Sequence, residues 1–404
     1  MTGQRGGTER PRGGLPGTRA PSDTERPRGG LPHTRAPSDT ERFEAILLVG
    51  GQGTRLRPLT IGIPKPLLPT AGVPFLAHQL AKAAAAGVTR VILATAYRAG
   101  MFRDCLGDGS SFGLELCYIQ EDTPLGTGGA IRNAASALHG DGDSPVIVLN
   151  GDVLSGHDLA AQVDAHLKAD AAVTLHLVEV PDPARFGCVP TDEAGRVTAF
   201  LEKTPHPVTN RINAGCYVFR REVIGEIPAG EVVSVERQTF PALIAAGAIV
   251  MGHVDPSYWL DVGTPDAFVQ GCCDLVLGRL ESPALRGTPG IHGIPGERLV
   301  LPGAGVAAGA SVAGGTVVSP GAVVEAEASV TGSVILEGAR IGRGAAVSGS
   351  VVGRDARVGP GAVLDRAVIG DGASVAEGNE LRAGIRVWPG VELGPTAIRF
   401  STDA

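Results

Sequence analysis

Four residues in this chain have the types and settings needed to handle phosphate. Arg55 follows the glycine-rich stretch Gly50, Gly51, Gly53 and Thr54, and Lys65 is fixed in Pro64–Lys65–Pro66. Such a loop brings several backbone N–H groups onto one anion; the arginine adds a planar fork of donors and the lysine a compact point charge. Asp152 closes the apolar run Ser144–Asp152, SPVIVLNGD, and Asp261 lies in Tyr258–Thr264, YWLDVGT. Magnesium takes one or two carboxylates together with phosphate oxygens, so a pair of strand-end aspartates beside a phosphate loop suits it. Isolated, each aspartate would read as a helix cap or turn residue. Together these residues point to a nucleoside triphosphate site.

Two common glycine motifs are absent. A P-loop requires Gly-Lys-Ser/Thr after four spacers, and the dinucleotide pattern G-x-G-x-x-G fails because Leu56 occupies the third glycine position. The segment Ala45–Pro69, AILLVGGQGTRLRPLTIGIPKPLLP, instead resembles the sugar-1-phosphate nucleotidyltransferases, the nucleotide-sugar pyrophosphorylases. The resemblance extends from residue 45 to about 395.

That resemblance implies a role for each matching position. Asp152 and Asp261 would hold the catalytic Mg2+. Leu48, Gly50, Gly51, Gly53, Thr54, Arg55, Lys65 and Asn150 would surround the nucleotide. Pro124–Gly129, PLGTGG, is similar to the loop whose bare backbone at Gly126, Thr127 and Gly128 lies against a nucleobase. Lys203 would bind the sugar phosphate, Glu202 and Asn213 the sugar hydroxyls, and Gly187 would permit close approach of the backbone. Thr204 stands where the family usually has proline, with Pro205 next, and the two contacting side chains are kept. Arg55, Lys65, Lys203 and Asp152 are the implied catalytic set.

Only four lysines occur among 35 basic residues. Two of them, Lys65 and Lys203, fall inside motifs, while Lys82 and Lys168 are expected on ordinary helices. A chain that uses arginine almost everywhere keeps lysine where the smaller ammonium is needed.

The elements that must position these groups alternate. Strand-like runs at Val91–Thr95, Leu114–Ile119, Val146–Leu149 and Val173–Val178 are interleaved with helix-like runs at Phe75–Ala86, Gly129–Leu138, His157–Lys168 and Val235–Ala246. The pattern predicts a Rossmann-like, mostly parallel α/β sheet over 43–280, binding ligands past the C-terminal ends of its strands. Residues 281–297 read as a linker.

From 298 to 404 the period changes. Val, Ile or Leu recurs sixteen times from Val306 to Leu393, at intervals of six residues interrupted by three of five, with small residues and glycines between. A hexad repeat of this kind specifies a β-helix with stacked aliphatics inside, and the resemblance implies the left-handed prism with about three hexads per coil.

Residues 1–42 are a tandem duplication. Thr8–Asp23 recurs as Thr24–Asp39 with Gly17 replaced by His33. A Pro/Gly/Arg-rich segment of this composition buries too little apolar surface to offset its ordering entropy and is expected to be disordered.

Composition restricts the remaining choices. A net charge of −7 argues against nucleic-acid binding, and six cysteines without C-x-x-C spacing fit a reducing, cytoplasmic setting rather than a zinc site or disulfide scaffold. No apolar run is long enough to span a membrane, and no signal-peptide core opens the chain. Homo-oligomerisation through the β-helix is expected.

The implied reaction is attack of a sugar 1-phosphate on the α-phosphorus of a nucleoside triphosphate, releasing pyrophosphate. PLGTGGAI, VLNGDVLSG, RINAGCYVF, SVERQTFPAL and YWLDVGTPDAF are most similar to the mannose-1-phosphate guanylyltransferases, implying GTP and mannose 1-phosphate as substrates. Uridylyl-, thymidylyl- or adenylyl-transfer to another hexose 1-phosphate, or a non-catalytic regulatory paralogue, are the alternatives. An acetyltransferase is disfavoured because no histidine follows His292.

Overall fold

The computed structural model describes residues 43–95, 98–139, 142, 144–201, 206–286 and 297–399. The duplicated segment 1–42, Glu202, Lys203 and most of the expected linker lie outside them.

Seven strands form the main sheet, in the spatial order Val250–Val254, Val173–Glu179, Arg211–Arg220, Pro145–Asn150, Phe43–Leu48, Val88–Thr95, Glu115–Gln120. All pairings are parallel except those of Arg211–Arg220, which runs antiparallel to both neighbours. Alternation along each strand sorts the core into two layers. Ala45, Leu47, Ile147 and Leu149 face the helices Phe75–Ala85, Ala99–Leu106 and Leu159–Lys168, while Ile46, Val146, Val148 and Val173 face Gly126–Ala134 and Phe240–Ala245. Strands buried on both faces are read as continuous apolar runs, which is why the central ones are visible in the sequence.

This topology assembles the site. The parallel strands present their C-terminal ends, and the one antiparallel strand contributes its N-terminal end, with Asn213, to the same edge.

The C-terminal third folds into three sheets of short parallel strands, with successive coils paired in register. The arrangement is consistent with a left-handed β-helix. All sixteen periodic aliphatics belong to one interior cluster, from Val306 to Leu393. The three short intervals have a structural explanation. At that corner the Thr316 hydroxyl accepts from Ser333 N–H (3.2 Å), Ser333 Oγ from Ser350 N–H (3.1 Å) and Ser350 Oγ from Ala367 N–H (2.9 Å). A buried hydroxyl ladder thus satisfies backbone donors where a residue is missing from the hexad.

The coils are joined to the sheet by a continuous core. Leu299, Val317, Val334, Val351 and Val368 stack outward from one sheet of the β-helix and pack with Phe268, Cys272 and Leu275 of the helix Pro265–Val276. The approach is close: a Cβ on Gly315 would lie 2.8 Å from Cys273 Cα.

Candidate active site

The glycine-rich loop leaves the first strand and turns at Gly53, whose φ of 62° favours glycine, into a short 3-10 turn Thr54–Leu56. Leu56 is fully buried against Leu59, Leu154 and Val262. The residue that breaks the dinucleotide pattern is therefore a hydrophobic anchor for the loop. Thr60 Oγ1 donates to Gly53 O at 2.8 Å and fixes the turn from below. Gly50 and Gly51 remain exposed.

The turn directs Arg55 towards Asp261. A Cβ on Gly263 would lie 2.8 Å from Arg55 Nη2, so the absence of a side chain at 263 makes room for the guanidinium. Lys65 begins a second 3-10 turn, Lys65–Leu67, is itself buried, and places Nζ 2.9 Å from Asp152 Oδ2.

Asp152 sits on a tightly held turn. Gly151 N–H donates to Leu48 O at 2.8 Å, so Leu48 contributes through its backbone. Gln79, from the helix Phe75–Ala85, donates Nε2 to Asn150 O (2.8 Å) and Val153 O (2.7 Å). The chain then pairs Val153–Ser155 antiparallel with Trp259–Asp261, setting Val153 opposite Asp261. Val262 N–H donates to Asp152 O at 3.0 Å. Two aspartates 109 positions apart in number are thereby locked side by side, Asp152 on the turn before Val153–Ser155 and Asp261 at the end of the strand paired with it.

Burial and then the neighbouring Asp152 charge push the Asp261 carboxyl above its ordinary range, against the pull of Lys65, Arg55 and Arg185. A half-buried carboxylate whose ionised form is disfavoured beside a second carboxylate is part of a donor set that fits a divalent cation. No group of three or more His, Cys, Asp or Glu suited to a metal occurs among the described residues.

Asn213 and Asn150 are engaged with Tyr217 and its surroundings. Asn213 Nδ2 donates to the Tyr217 hydroxyl at 2.8 Å and its Oδ1 accepts from Gly215 N–H at 3.1 Å. Gly215, at φ 79°, lies against Asn150, where a Cβ would be 2.7 Å from Nδ2. Gly187, at φ 78°, follows the exposed Phe186, which packs edge-on against Trp259 with centroids 5.5 Å apart. Trp259 Nε1 in turn donates to Ala214 O at 2.9 Å.

The Gly126 loop is seated by its small residues. Gly128 N–H donates to Val233 O at 2.7 Å, and Cβ atoms on Gly126 and Gly128 would lie 2.6 and 2.8 Å from Val233. Thr127 Oγ1 donates to Glu236 Oε2 at 2.9 Å and accepts from Val235 N–H. These small residues seat the loop against 231–236.

Three contributors were missed in the sequence. Arg185, on the turn Pro183–Arg185, faces Asp261 electrostatically, yet nothing in a lone arginine signals this. Glu121 follows the edge strand; its Oε2 accepts from Leu125 N–H at 3.3 Å, while Oε1 is buried without a partner among the described residues. Lys82 was expected on an ordinary helix face. Its stem is half-buried and its ammonium donates to Ser155 O (2.9 Å) and lies 2.8 Å from His157 Nδ1; desolvation lowers its pKa to about 8.

Comparison with known proteins gives the same picture. The model of the nucleotidyl transferase family matches residues 44–276, and that of the GMPPB C-terminal domain matches 294–393. A mannose-1-phosphate guanylyltransferase of Mycobacterium tuberculosis is 58% identical over 248 residues, covering 61% of this chain and 68% of that protein. The mannose-1-phosphate guanylyltransferase catalytic subunit beta of Drosophila melanogaster is 37% identical over 251 residues, covering 61% and 67%. The crystal structure of HddC from Yersinia pseudotuberculosis superposes with a TM-score of 0.50 at 31% identity, covering 57% of this chain and 98% of that one. A complex of the same protein with GMP-PN superposes with the same TM-score at 30% identity. With the phosphate loop, the paired aspartates and the hexad coils in place, the chain belongs to the nucleotidyl transferase family.

Proposed function

We infer that this chain transfers a guanylyl group from GTP to α-D-mannose 1-phosphate, giving GDP-mannose and diphosphate. The observation that carries the reaction class is the convergence of Arg55, Lys65 and Arg185 on Asp152 and Asp261 at the C-terminal edge of the sheet. The base and sugar follow from the relatives' names and from the unpartnered carboxylate oxygen of Glu121.

A phosphate oxygen of the sugar 1-phosphate forms a bond to the α-phosphorus as the bond to the β-phosphate oxygen breaks. The nucleophile is already anionic, so no enzyme nucleophile is needed, and catalysis consists of positioning and charge neutralisation. Arg55 and Lys65 hold the triphosphate, and Arg185 together with Lys203 orients the sugar phosphate. Glu202, Asn213 and the wall formed by Phe186 and Trp259 receive the sugar. Asp152 and Asp261 would hold Mg2+, which when bound supplies charge neutralisation between the two phosphate groups.

The site retains the charged groups that a purely regulatory paralogue would not need. Copies are proposed to associate through the coils, whose last turn exposes Trp388 and Val391. The free cysteines fit a cytosolic setting. The test is diphosphate release from GTP, UTP, dTTP and ATP against mannose, glucose and glucosamine 1-phosphates. GTP with mannose 1-phosphate is expected to lead; preference for another nucleotide by about tenfold would overturn the guanylyl assignment while keeping the reaction class.

A further inference from the structure

One outward face of the β-helix is apolar for five coils and then changes. Leu299, Val317, Val334, Val351 and Val368 form its rungs, and the next residue in register, paired with Val368, is Arg386. An arginine that continues an apolar seam needs polar partners at its head. Arg386 finds them in the phosphate loop: Nη1 donates to Arg55 O at 2.9 Å and to Arg57 O at 2.7 Å. These carbonyls flank Leu56, the residue that anchors the loop in the core. The loop's internal bonds, Leu56 N–H to Gly53 O and Arg57 N–H to Thr54 O, leave both carbonyls for this donor.

We propose that Arg386 is a positioning residue for nucleotidyl transfer, through which the β-helix holds the turn that aims Arg55 at the triphosphate. Leu56 ties the turn to the core, Thr60 ties its entry, and Arg386 ties its exit. The coil domain then supports the active site directly, in addition to any part in assembly. Both bonds come from a single nitrogen, so a lysine ammonium on a comparable stem can replace them. A rung that served only the seam would tolerate an apolar residue better than a cation. The inference rests on the nucleotidyl-transfer reading.

The experiment is steady-state kinetics of the full-length chain with GTP and mannose 1-phosphate, comparing Arg386→Ala, Arg386→Met and Arg386→Lys. Loss of the donor in the Ala and Met variants is expected to raise KM for GTP roughly five- to tenfold, leaving KM for mannose 1-phosphate unchanged. Arg386→Lys is expected to recover most of the loss. The Met variant keeps an apolar stem on the seam, so it carries the test if the Ala variant folds poorly. Wild-type KM for GTP in the Met variant, an equal rise for both substrates, or a Lys variant no better than Met would overturn the proposal. An inactive wild type with every nucleotide would instead refute the reaction itself, so the two failures are distinguishable.

Discussion

Lys65 Nζ lies 2.9 Å from Asp152 Oδ2, joining the exit of the phosphate loop to the end of the central strand. The pair is asymmetric. The lysine side chain is 9% exposed and the aspartate 42%, so the ammonium is held on the protein side and the carboxylate opens to the cleft. A cation fixed in this way cannot be exchanged for a larger one without moving the strand end.

Lys65→Arg is therefore expected to be nearly as damaging as Lys65→Ala, each lowering kcat/KM by about a hundredfold or more. The guanidinium is a wider, planar group than the ammonium that it would replace on this largely buried stem. Near-normal kinetics for Lys65→Arg would show that charge alone suffices there.

Asp261 carries a second expectation. Burial and Asp152 disfavour its ionised form in the free protein, so Asp261→Asn should leave thermal stability unchanged or raised. Turnover should nevertheless fall by about two orders of magnitude or more, because a charged ligand to the cation is lost. Excess EDTA should abolish wild-type activity, with added Mg2+ restoring it. Full activity in EDTA, or a large drop in the melting temperature of Asp261→Asn, would contradict this account.

Acid sensitivity should come from buried histidines. Burial lowers His78 and His166 to about 4 and His176 to about 3, from an ordinary 6.5. The unfolded chain then binds protons that the folded chain refuses, so stability is full above about pH 6.5 and falls as pH drops towards those values. Each such histidine contributes about 2 kcal/mol of this loss by pH 5. His176 is stacked on His157 at 3.8 Å, and neither of its ring nitrogens has a partner among the described residues. His176→Phe should flatten the dependence of the urea midpoint between pH 7 and 5; an unchanged slope would reject the assignment.

Much of this was readable in advance where burial is symmetric. Strands covered on both faces, and aliphatics pointing into a coil, are read as plain apolar repeats. What escaped was pairing between distant elements. The doublets Val317–Val318, Val334–Ile335 and Val351–Val352 each hold one inward and one outward residue. Their second member carries the hexad period, while the first marks the seam with the sheet. The antiparallel strand Arg211–Arg220 was hidden for a similar reason: its direction depends on the neighbours it joins. At the site, Arg55, Lys65, Asp152 and Asp261 stood inside distinctive strings and were visible. Arg185 and Glu121 sit in ordinary turns, and only the fold brings them to the site edge.

The seam sets the expected effect of truncation. Removing 298–399 would expose Phe268, Cys272 and Leu275 along one face of the helix Pro265–Val276 and delete the Arg386 contact with the phosphate loop. The shortened chain should aggregate or lose nucleotide binding, even though no catalytic side chain is deleted. A soluble truncated chain with wild-type KM for GTP would show that the seam is dispensable.

Base choice is expected to turn on Glu121. Its carboxyl is pushed up by burial, and Leu125 N–H satisfies only one oxygen. Guanine presents two adjacent donors, N1–H and the 2-amino group, and a carboxylate accepts both. Uracil and thymine place a single N–H between two carbonyls, and adenine sets an acceptor beside its amino group. Pairing with guanine supplies donors that the buried oxygen lacks, whereas the other bases leave it unpaired or opposed. Glu121→Gln turns one acceptor into a donor and keeps the shape. It should lower kcat/KM for GTP by about a hundredfold while changing activity with ATP or UTP far less. Equal losses with all nucleotides would make Glu121 a support for the Leu125 turn, and undiminished GTP preference would remove it from base recognition.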